Sequence, residues 1–106
     1  MDIADWRKKI DELDRKLVEM LNQRAHMAQE IGRLKRNTSL PIYEPERERM
    51  ILENVRGANQ GPLPDHELAL IFERIIDVMR ALQKETMCPS PKAAAGETEF
   101  DSDVND

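Results

Sequence analysis

Residues 3–36, IADWRKKIDELDRKLVEMLNQRAHMAQEIGRLKR, decide the fold. Positions spaced alternately by three and four carry Ile3, Trp6, Ile10, Leu13, Leu17, Met20, Arg24, Met27, Ile31 and Leu34. Nine of these ten are apolar, which is the seam of a heptad repeat rather than the alternation of a strand. The stretch holds no proline, and its only glycine is Gly32. It predicts one helix from about Asp5 to Arg36, roughly 48 Å long at ~1.5 Å per residue. Asn37-Thr38-Ser39-Leu40-Pro41 ends it, because Pro41 disfavours helical geometry at Leu40 and lacks an N–H.

Two shorter helices follow. Pro45 suits a first helical turn, and Glu44, Glu46 and Glu48 sit near the positive end of the helix dipole. This second segment runs to Gly57, roughly 18 Å. After the loop Asn59-Gln60-Gly61-Pro62-Leu63-Pro64, a third segment runs from Asp65, an expected N-cap, to about Glu85, roughly 30 Å. Its apolar stripe is Leu68, Phe72, Ile75, Met79 and Leu82, with Ile71, Ile76 and Gln83 alongside. The fold class expected is all-α, with one long, one short and one medium helix.

The full chain is 106 residues, 40% hydrophobic and 35% charged, with a net charge of -5. Residues 1–87 hold 15 Lys+Arg against 16 Asp+Glu, whereas residues 88–106 hold Lys92 against five acids. The division expected is a helical domain over 1–87 and an acidic, disordered tail over 88–106. A near-neutral body argues against duplex nucleic-acid binding, which needs uncompensated cations. No apolar run approaches the ~18 residues of a membrane helix, and the first residues lack a signal-peptide core. One cysteine, Cys88, and two distant histidines, His26 and His66, give no disulfide and no metal cluster. A cytoplasmic protein is expected. So small a chain has a thin core, and its long seam is covered most simply by a second copy, which predicts a helical homodimer.

Several polar residues break the apolar pattern. Arg24 occupies a seam position, where an unpaired guanidinium is costly and requires an acid or an anionic ligand. Lys35 lies 11 residues further on, about 20° away around the same face. Arg47 stands at a helix N-terminus, where a cation is disfavoured unless something anionic compensates it. Gln83 shares the apolar stripe of the third helix and needs a partner for its amide. Arg7 is about 100° from Arg24 around the first helix, so the two do not converge within one chain. A structural ion pair for Arg24 and solvated roles for Arg7, Arg47 and Glu48 are the alternatives to a binding site.

Taken in order, these residues resemble the all-helical chorismate mutase family, of the monofunctional bacterial type. The resemblance rests on Arg7-Lys8-Lys9-Ile10-Asp11-Glu12-Leu13-Asp14, Arg24, Ile31-Gly32-Arg33-Leu34-Lys35, Pro41-Ile42-Tyr43-Glu44-Pro45-Glu46-Arg47-Glu48, and Ile75-Ile76 followed by Gln83. It implies an intertwined homodimer that rearranges chorismate to prephenate in phenylalanine and tyrosine biosynthesis, without a cofactor or metal. Each site would take Arg7 from the partner chain. By matching positions, Arg24 and Arg7 would clamp carboxylates and Arg47 would support the second carboxylate. Lys35 and Gln83 would donate to the ether oxygen, and Glu48 would accept from the ring hydroxyl with backbone near Glu44 helping. Met79 departs from the pattern, since this position often carries a small hydroxyl, and Glu44 stands where Asp is more usual.

The same fold also suits an isochorismate-pyruvate lyase, which tends to be apolar where Glu48 stands. A non-catalytic dimeric regulatory module of a shikimate-pathway enzyme would fit the seam but leave the inward cations unexplained. Association with a larger shikimate-pathway enzyme is compatible with any of these.

Overall fold

The computed structural model describes residues 1–87. The expected acidic tail over 88–106 lies outside the described residues. Three helices make up the described chain: α1 (Ile3–Arg36), α2 (Pro45–Ala58) and α3 (Asp65–Met87). None of them is long and apolar enough to cross a membrane.

The ends follow from local chemistry. α1 starts two residues before the expected Asp5 because Asp2 and Asp5 form a reciprocal capping box. The Asp5 amide donates to Asp2 at 2.9 Å, and the Asp2 amide donates to Asp5 at 3.0 Å. At the other end the Thr38 hydroxyl donates to the Lys35 carbonyl at 3.1 Å. α2 begins at Pro45 as expected, but the preceding Glu44 makes no side-chain cap. Its carboxylate is used elsewhere, as described below. Asp65 is not the N-cap expected for α3; it is the first helical residue, and its carboxylate accepts from the Asn59 side-chain amide at 2.6 Å. Gly61 turns the intervening loop with φ of 77°, a backbone region that favours glycine.

Packing runs α1 to α3 and α3 to α2. The face that α1 offers to α3 is not the large-residue seam. It is an adjacent stripe in which Ala28, Gly32 and Lys35 are buried and Ala25 is half-buried, with Arg24 of the seam half-buried at its edge. On α3, Ala69, Ile76 and Met79 are buried, with Phe72, Gln83 and Thr86 half-buried; Gln83 and Thr86 meet α1 directly. Small residues on α1, Gly32 above all, let the helices approach closely. The seam itself remains on the surface of the single chain: Trp6 is 56% exposed, Leu13 58% and Leu34 71%. Residues 1–23 are exposed throughout, so the first two-thirds of α1 has no covering element within the described chain.

Gly32 marks the tightest α1–α3 approach. A Cβ there would lie 2.9 Å from the Gln83 carbonyl oxygen and 3.2 Å from both Gln83 Cα and Thr86 Cβ. Two of those three atoms are backbone, so the helices themselves must separate. Gly32→Ala is expected to cost about 1–3 kcal/mol by overpacking, read as a lowered midpoint in urea denaturation. A midpoint at or above that of the unsubstituted protein would show that the helices part without strain.

Candidate active site

The C-terminal half of α1, the 37–44 connection, the first turn of α2 and the last half of α3 enclose a cleft of 470 Å³. That volume suits a small organic ligand. Apolar walls come from Met27, Ala28, Ile31, Ile42, Ile51, Ile76 and Met79, and the polar groups are Arg24, Glu44, Arg47, Glu48, Arg80 and Gln83.

Behind this lining sits Lys35, only 3% exposed. A buried ammonium is tolerated when all its donors are used and an anion is near. Both conditions are met. Nζ donates to Glu44 Oε1 at 2.7 Å, to Gln83 Oε1 at 3.0 Å and, more weakly, to the Ile42 carbonyl at 3.5 Å. One side chain thus ties α1 to the connection before α2 and to α3. Gln83 is pinned through its oxygen, so its NH₂ group is the end left to donate to a ligand. Glu44 is drawn to Lys35, which accounts for its failure to cap α2.

Glu48 is also paired. Arg80 Nε donates to Glu48 Oε2 at 2.9 Å and Arg80 Nη2 donates to Glu48 Oε1 at 2.9 Å, a bidentate fork across 32 residues of sequence. The Arg80 guanidinium lies 5.1 Å from the Tyr43 ring centroid, a cation–π distance, and 3.3 Å from Asp77 Oδ1.

Charge in the cleft is therefore arranged in pairs with a remainder. Glu44 is neutralised by Lys35 and Glu48 by Arg80. Among the described residues, Arg24 and Arg47 form no ion pair and face the same cleft. Burial, reinforced by the charge of Arg47, pushes Arg24 below its ordinary pKa. Two uncompensated guanidiniums in a partly apolar cleft have the charge and chemistry to accept a small dianion.

The structure brings together Arg24, Lys35, Glu44, Arg47, Glu48, Met79 and Gln83, all of them expected from sequence. It does not bring Arg7 to them. Arg7 is exposed on α1, about 26 Å along the axis from Arg24 at ~1.5 Å per residue. Met79 is buried in the cleft wall and presents a thioether rather than a hydroxyl. Sequence reasoning missed Arg80. Its only signal was its place about 60° from Gln83 around α3, beside the apolar stripe.

The pattern described as chorismate mutase type II matches residues 6–84. Among named proteins, the chain is 33% identical over 84 residues to a chorismate mutase of Methanocaldococcus jannaschii, covering 78% of this chain and 85% of that one. It is 36% identical over 88 residues to a bifunctional chorismate mutase/prephenate dehydratase of Aquifex aeolicus, covering 79% of this chain and 24% of that protein. The chain thus spans about a quarter of the length of that bifunctional relative. A solved chorismate mutase structure from Thermus thermophilus superposes with a TM-score of 0.76 at 34% identity, covering 77% of this chain and 93% of that one. The all-helical fold and the paired and unpaired charges of the cleft thus occur in a chain that belongs to the type II chorismate mutase family.

Proposed function

We propose that this chain is a chorismate mutase of aromatic amino acid biosynthesis, rearranging chorismate to prephenate. The observation that carries the reading is the juxtaposition of two uncompensated guanidiniums, Arg24 and Arg47, with two convergent donors, Lys35 Nζ and Gln83 Nε2. Chorismate is a dianion whose ether C–O bond breaks as a C–C bond forms within one molecule. Nothing is transferred to or from the protein. The catalyst's task is to hold the reactive chair and to support the negative charge that grows on the ether oxygen.

Arg24 and Arg47 take carboxylates. Lys35 exchanges its weakest acceptor, the Ile42 carbonyl at 3.5 Å, for the ether oxygen, while Gln83 donates from its free NH₂. Each such preorganised donor is worth roughly 10²–10³ in rate. Glu48 accepts from the ring hydroxyl through the lone pairs that Arg80 leaves available. Met79 supplies no donor, so one carboxylate has one contact fewer and affinity rather than turnover bears the cost.

Two chains are required on this reading. The exposed seam of α1 supplies the apolar surface for a second copy, and Arg7 of the partner subunit closes the site over a carboxylate. Residues 1–87 act as the catalytic domain, a cytoplasmic unit that leaves 88–106 outside the chemistry. Association with a larger enzyme of the same pathway is compatible with the fused relatives.

The decisive assay incubates the purified protein separately with chorismate and isochorismate. Prephenate from chorismate, by a species sedimenting near twice 12.3 kDa, is the expected result. Pyruvate from isochorismate alone would assign a lyase, and no turnover of either would favour a non-catalytic module. Arg24→Met is expected to lower kcat/KM by about 10²-fold or more. Its melting temperature should be unchanged or raised, because burial and Arg47 both disfavour the native charge. A melting temperature several degrees lower would mean that Arg24 serves the fold.

A further inference from the structure

We infer that Arg80 is a positioning residue that holds Glu48 away from Arg24 and Arg47, keeping the anion site open before substrate arrives. The inference rests on the mutase reading above. Glu48 follows Arg47 directly in the first turn of α2 and lines the same cleft as Arg24. An unrestrained carboxylate there has two uncompensated guanidiniums within its own cavity, and pairing with either would block the place of a substrate carboxylate. Arg80 prevents this by geometry. Its fork takes both oxygens of Glu48, at 2.9 Å each, from the opposite wall of the cleft on α3. Arg80 is itself restrained, by Asp77 at 3.3 Å and by the Tyr43 ring at 5.1 Å. Both Arg80 and Glu48 are largely shielded, with side-chain exposures of 33% and 22%, so the pair is less open to solvent than the ion pairs of Arg33 and Arg49.

The consequence is a particular split in kinetic constants. Releasing Glu48 creates an internal competitor for the substrate's carboxylate, which raises KM; the stability of the ion pair itself is read separately, as the melting temperature of each variant. The test is a double-mutant cycle on chorismate turnover using the unsubstituted protein, Arg80→Met, Glu48→Gln and the double variant. Arg80→Met should raise KM by about tenfold, with a smaller fall in kcat. In the Glu48→Gln background the same substitution should change KM less than about twofold, because a neutral amide does not compete for the cations. Arg80→Lys keeps the charge but gives up the fork, and should show the same coupling at smaller amplitude even where Arg80→Met fails to fold. Equal KM effects in both backgrounds, or none in either, would overturn the restraint while leaving the mutase reading intact. No chorismate turnover by the unsubstituted protein would overturn both.

Discussion

The buried ammonium of Lys35 is the constraint on which the rest depends. It sits where α1, the connection before α2 and α3 meet, and the connection and α3 supply its acceptors. A cation so enclosed requires the Glu44 carboxylate beside it, which takes Glu44 from capping α2 and leaves Pro45 to start that helix. It also requires the Gln83 oxygen, which orients that amide with its NH₂ free. Gly32, one turn earlier on α1, brings the Gln83 backbone close enough for this bond to form. The same contacts that solvate Lys35 inside the protein thereby place two donors side by side.

Around that point the charges follow a simple logic. Each carboxylate of the cleft has a cation of its own, Lys35 for Glu44 and Arg80 for Glu48, and two guanidiniums are left over. Their mutual repulsion and the partial burial of Arg24 weigh against the empty cleft, as expected where a site is preorganised for charge at some expense of stability. For an intramolecular rearrangement this is nearly all a protein must provide, since no group has to attack or carry off an atom.

Much of this was legible in the sequence, for reasons that also explain what was not. The three helices follow from the seam of α1, the two proline-bearing breaks and the stripe of α3, because hydrophobic periodicity reports helical geometry whether or not the chain itself covers the face. The actual α1–α3 contact was less visible. It uses Ala25, Ala28, Gly32 and Lys35, small residues and a cation that hydropathy does not mark, since close approach needs absence of bulk rather than apolar mass. Arg24, Lys35, Arg47 and Gln83 were conspicuous because each violates a local rule. Arg80 violates none; its value comes from a partner 32 residues away that only the folded chain brings near. Arg7 stays apart from these, exposed on α1 and remote from the cleft.

The central claim is that Arg24 and Arg47 make the cleft a dianion site. Steady-state kinetics with chorismate and with each of its two monomethyl esters tests it most directly. Removing either carboxylate charge should lower kcat/KM by about 10²-fold or more, the loss expected when a charge-assisted pair is left half-empty. An ester converted as efficiently as chorismate would contradict the account, because the matching guanidinium would then have no carboxylate to hold.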